Sequence, residues 1–119
     1  MKTLVVVLLA GFMLVVPGSG GAHAKTCAAP AYPSVNGRYT SDIGAKHLSC
    51  AKAYKLLTKQ YECRVKNGPE GRCVKLVMHF GCYEDRYSDF YSPTFVSAVT
   101  CKHDNKKVTW SYEQNKTVA

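Results

Sequence analysis

The sequence is short of several things. Its six cysteines never approach one another as C-x2-C pairs: the gaps between them are 22, 12, 9, 8 and 18 residues. Structural zinc sites draw on close Cys and His pairs, so no metal is expected. An even count leaves no thiol over, which argues against a cysteine nucleophile. G-x-S-x-G, H-E-x-x-H and Walker-type glycine loops are missing, and with them the corresponding hydrolase, zinc-peptidase and nucleotide readings; no cofactor is expected. Acidic residues are scarce as well, 8 Asp and Glu against 16 Lys and Arg, for a formal net charge of +8. The chain carries no internal repeat, low-complexity tract or interior linker.

What is present begins with a leader pattern. Lys2 precedes an apolar run from Leu4 to Val16, then Pro17, a Gly/Ser stretch and Ala22-His23-Ala24. Charge, apolar core and small-residue cleavage site stand in the order of a secretory signal peptide. The run is shorter than the roughly 20 residues that cross a bilayer. Residues 1–24 are therefore read as a signal peptide, and residues 25–119 as one secreted, extracellular domain. A domain of that size has a marginal core. Six cysteines in an oxidising compartment read as the three disulfides that supplement it. Sequential pairing is expected, Cys27–Cys50, Cys63–Cys73 and Cys82–Cys101, because hairpins bring their own cysteines together and the first pair ties the N-terminal arm to a helix.

Residues 25–42 carry Pro30, Pro33 and Asn36-Gly37, and read as an irregular or extended arm with a turn. From Ile43 onward, Ile43, Cys50, Tyr54, Leu57, Tyr61 and Val65 fall on one side of a helix wound at about 100° per residue. Lys52, Lys55, Lys59 and Lys66 fall on the other. The spacing predicts an amphipathic helix over about 43–60, capped by Ser41 or Asp42. Residues 60–66 and 72–82 alternate at strand period around Asn67-Gly68-Pro69 and predict one hairpin. Residues 94–102 and 106–113 flank "HDNK" and predict a second. The expected fold is α+β: one helix against a four-stranded antiparallel sheet of two hairpins, ending in a polar tail over 114–119.

The charge surplus favours acidic partners. An extracellular protein or acidic polysaccharide is expected, a membrane surface is a further possibility, and neither DNA nor self-association is called for. The helix lysines Lys52, Lys55, Lys59 and Lys66 form the candidate basic binding face. Tyr83, Tyr87, Phe90 and Tyr91 form a candidate aromatic loop between the hairpins, since tyrosine offers large contact area at small entropy cost. Against recognition stands the alternative that these rings cover one end of the sheet. Asn115-Lys116-Thr117 is a glycosylation sequon, with Asn115 the acceptor.

Catalysis requires an acid/base pair, and His47, His79 and His103 supply the residue types for phosphodiester chemistry. "CKHDNKK" is similar to the C-K-x-x-N-T-F motif of pancreatic-type ribonucleases at Cys101, Lys102 and Asn105. Lys106-Lys107 stand where Thr-Phe belongs, and the histidine order differs. His79 then reads as a strand residue and His103 as a turn residue. Helix followed by hairpins resembles cystatin-type inhibitors in outline, but residues 64–71 lack the Q-x-V-x-G wedge. The "CKHDNKKVTWS" end resembles a complement-control module, whose earlier cysteine spacing does not match. No family is assigned. The reading is a cationic, cysteine-rich binding protein acting without catalysis, as a defence factor, toxin-like effector or ligand. A membrane-active antimicrobial protein and a small nuclease are the alternatives.

Overall fold

The computed structural model describes residues 24–119. The leader assigned to residues 1–24 lies outside the described residues, apart from Ala24. The described chain is α+β: one helix on one face of an antiparallel sheet, stapled by three disulfides. The elements are β1 (Lys25–Cys27), β2 (Gly37–Tyr39), β3 (Ile43–Lys46), α1 (Cys50–Val65), β4 (Gly81–Tyr87), β5 (Thr94–His103) and β6 (Lys106–Asn115). The sheet has six strands, not four. Its order is β1-β3-β6-β5-β4, with β2 pairing the far end of β6. The N-terminal arm is extended as expected, but three of its segments pair as strands or lead into one.

The second hairpin forms where alternation placed it. Phe95, Ser97, Val99 and Cys101 of β5 and Val108, Trp110, Tyr112 and Gln114 of β6 all point into the core. The strand β6 runs two residues into the expected tail, to Asn115.

The helix is displaced from its predicted start. Residues 43–46 form a strand with Ile43 and Ala45 buried, and the N-cap is Ser49, whose Oγ accepts from the Lys52 amide at 3.2 Å. The helix phase also differs: Ala53, Leu56, Leu57, Gln60 and Arg64 face the sheet, while Tyr54 and Tyr61 sit at the margin. Two polar residues on the buried face are what misplaced the stripe.

The first predicted hairpin does not form. Residues 60–65 remain helical because Gln60 and Arg64 have buried partners, and Gly68 then reverses the chain at φ +96°, a conformation open to glycine at little cost. In the following segment Val74 is 92% exposed and Leu76 66% exposed. Only a bridge between Val77 and Phe80 survives, closed by Met78 and His79, both at positive φ. His79 is thus a turn residue, and His103 ends β5.

The disulfides pair in the sequential scheme, for partly different reasons. Cys27–Cys50 joins β1 to the first residue of α1, and Cys63–Cys73 joins the last helical turn to the loop. Cys82 and Cys101 face each other in β4–β5 register. Each cross-link stabilises by about 2–4 kcal/mol.

Between helix and sheet lies a buried polar cluster around Glu84. Its carboxylate accepts from Arg86 Nε at 2.6 Å, Gln60 Nε2 at 2.9 Å and the Tyr112 hydroxyl at 3.0 Å, with Arg64 Nε at 3.7 Å. Arg64 Nη2 donates to Tyr32 Oη and Gln114 Oε1, and its guanidinium stacks 4.4 Å from the Tyr112 ring centre. Gln114 Nε2 and Arg86 then bind the carbonyls of Pro69, Glu70 and Gly71, anchoring the loop.

Replacing one member of a buried ionic set strands the others, which costs about 3–5 kcal/mol. Glu84→Gln should therefore lower the free energy of unfolding by that amount in a denaturant titration. A loss under about 1 kcal/mol would mean that the arginines find other partners.

A pH dependence follows from the tyrosines. Burial pushes the Tyr32 hydroxyl up to about 12 from 10.0, against the opposing pull of Arg64, and raises Tyr39 and Tyr112 further. These groups hold their protons more tightly folded than unfolded. Their contribution is complete below pH 10 and is lost as pH climbs towards the folded values. The denaturation midpoint should fall between pH 9 and pH 11.5, and Tyr39→Phe should shrink that fall.

Candidate anion-binding face

Among the described residues α1 covers only one side of the sheet, and the other side is open. Strand alternation decides what stands there. Register places Lys46 of β3 opposite Lys107 of β6, Lys107 opposite Lys102 of β5, and Lys102 opposite Gly81 of β4. The neighbouring row reads Thr26, Gly44, Thr109, Thr100, Tyr83. Gly44 brings its strand close to Thr109: a Cβ there would lie 2.5 Å from Thr109 Oγ1. The next row holds Ser111, Ala98 and Asp85.

Gly81, Tyr83, Thr100, Lys102 and Lys107 line a depression of about 390 Å³. No carboxylate lines it. A second depression, of about 260 Å³, lies between the end of α1 and the 75–78 loop, where Lys59, Lys66 and Lys75 share the wall with Glu62. Glu62 stands 3.5 Å from Lys59 Nζ and partly neutralises it.

The predicted helix lysines are all exposed, on the side of the molecule away from the open sheet face. Lys52, Lys55, Lys59 and Lys66 thus form one basic surface, and Lys46, Lys102 and Lys107 another. Sequence reasoning missed the second. Its signal lay in the outward positions of strands whose register was unknown.

The aromatic residues are redistributed. Tyr83 and Tyr87 stand on the outer face of β4, and only Phe90 and Tyr91 occupy the loop, packed edge to face at 5.2 Å. Tyr83 is 68% exposed and the other three more so, so they do not cover the end of the sheet. Asn115 closes β6, and its Oδ1 accepts from Thr117 N and Oγ1 at 2.8 Å.

The structure brings His79 and His103 together at 6.1 Å between ring centres, beside Phe80, while His47 directly follows β3. Neither His79 nor His103 lines any of the depressions described. Among the described residues no cluster of three metal-ligating side chains occurs and no helix is long and apolar enough to cross a membrane. No protein-family model, curated protein or solved structure matches the chain.

Like charges directly opposite one another across strands destabilise a sheet. Lys107 has such a neighbour on both sides. Lys107→Gln should raise stability by about 0.2–1 kcal/mol, read from the denaturant midpoint; a decrease would mean that the row is held by interactions of its own.

Proposed function

We propose that the protein is a secreted, non-catalytic, cationic binding domain that engages an acidic extracellular polymer through the open face of its sheet. The observation that carries this reading is the Lys46–Lys107–Lys102 row in direct cross-strand register. A row that costs the fold stability has its counterpart in a multivalent anion, which turns mutual repulsion into shared attraction. The leader pattern and the three disulfides support an oxidising, extracellular setting. Lysine supplies most of the free cationic charge: Arg64 and Arg86 are held by Glu84 inside the protein and Arg38 faces Glu113, while Arg72 stays exposed.

The helix lysines are the rival surface, and a matched pair of variants separates the two. Lys46, Lys102 and Lys107 changed together to Gln remove the same net charge as Lys52, Lys55 and Lys59 changed together. On a heparin column the sheet variant should elute at clearly lower salt than the helix variant, since screening over about 8 Å leaves local charge dominant. Equal shifts would reduce the interaction to net charge, and a larger shift for the helix variant would move the site to α1. Labelled RNA should stay intact with the parent; cleavage abolished by His103→Ala would make the histidine pair catalytic instead.

A further inference from the structure

The depression beside the lysine row allows the partner to be named by its chemistry, an inference that rests on the reading above. Its volume, about 390 Å³, falls within the roughly 300–1,000 Å³ of ordinary ligand sites. Lys102 and Lys107 line it together with Thr100, Gly81 and the exposed ring of Tyr83. Strands about 4.8 Å apart raise the three lysine stems from a line of about 10 Å. Their flexible four-carbon chains let the ammonium groups converge on one group.

We propose that this depression holds a sulfated residue of an acidic polysaccharide. Lys46, Lys102 and Lys107 take the sulfate. The Tyr83 ring lies against the apolar face of the pyranose, and the hydroxyl of Thr100 meets a hydroxyl of the sugar.

Three observations decide among anions. Ammonium groups are compact charges whose donors rotate freely, suited to a tetrahedral oxyanion approached from several sides. Planar carboxylates are matched better by the bidentate arginine fork. The arginine on this face, Arg38, is tied to Glu113 at 3.4 Å. Sites for single-stranded nucleic acid repeat aromatic rings along a basic groove so that successive bases stack. Here the next ring along β4 is Tyr87, and a polyanion reaching it from Tyr83 passes the carboxylate of Asp85 on the same face. The polymer therefore crosses the strands along the lysine and threonine rows.

The test is calorimetric binding of the full-length, disulfide-bonded protein to heparin, fully desulfated heparin, polygalacturonate and a single-stranded oligoribonucleotide. Heparin should bind at least about tenfold more tightly than the other three. Tyr83→Ala should weaken it roughly three- to tenfold, whereas Tyr83→Phe, which keeps the ring, should not. Asp85→Asn should tighten it about two- to fivefold by removing a like charge. Oligoribonucleotide binding as tight as heparin, polygalacturonate binding as tight as heparin, or indifference to Tyr83→Ala overturns the sulfated-sugar assignment. If the Lys46, Lys102 and Lys107 variant keeps the parent's affinity for every probe, the sheet-face reading itself fails.

Discussion

The Glu84 carboxylate, held between Arg64 and Arg86 under the helix, is the interaction on which the rest of the structure depends. It takes hydrogen bonds or charge from α1, β4 and β6 at once. The two arginines pass the connection on, Arg64 to Tyr32 of the arm and Arg86 to the carbonyls of the 69–71 turn. A small sheet and one helix bury limited apolar area. A buried polar network is the device that fixes how they meet, since each member is costly to leave unpaired in a low-dielectric core. Arg64 shows how close the margin is. Its Nε and Nη1 make no hydrogen bond, and the electron-rich faces of Tyr61 and Tyr112 stand in for one.

That interior arrangement shapes the exterior. Two of the four arginines are held at the core, and the other two reach Glu113 and the Glu84 carbonyl. Most of the positive charge left to face solvent is carried by lysines, and Lys52, Lys55, Lys59 and Lys66 on one side and Lys46, Lys102 and Lys107 on the other sort by element geometry into two groups. On α1 they follow the helical repeat and spread along the axis. On the sheet they are set side by side by register, which concentrates charge in a way that no periodicity in the linear sequence displays.

This explains what was legible in the chain and what was not. The hairpin of β5 and β6 was readable because its inward residues apart from Ser97 and Gln114 are apolar or aromatic at period two. The pairing of the cysteines was readable from their order, although Cys63–Cys73 closes a helix end onto a loop rather than a hairpin. The helix start was not readable: Ile43 falls in phase with the helical stripe although with Ala45 it forms the buried period-two pair of a strand, and the cap at Ser49 competes with Ser41 and Asp42. The helix phase was hidden because Gln60 and Arg64 face the core, where a hydropathy pattern places apolar residues. The basic row was hidden for a deeper reason. Lys46 lies more than fifty residues from Lys102 and Lys107, and only the return of β6 alongside β3 makes them neighbours.

The Cys82–Cys101 bond connects this frame to the open face. It joins β4 to β5 at a Cα separation of 4.0 Å, with its sulfurs on the helix side. The residues flanking it in sequence, Gly81 and Tyr83 on one strand and Thr100 and Lys102 on the other, point the opposite way and line the depression. An edge strand held only by ladder hydrogen bonds frays at its end. Here a covalent link lies directly beneath Gly81, Tyr83, Thr100 and Lys102, so the backbone positions of β4 and β5 that carry them keep their spacing. Of the three register-paired lysines only Lys102 stands on this cross-linked strand pair; Lys107 and Lys46 follow on β6 and β3, so the row is fixed by the disulfide at one end and by the sheet ladder at the other.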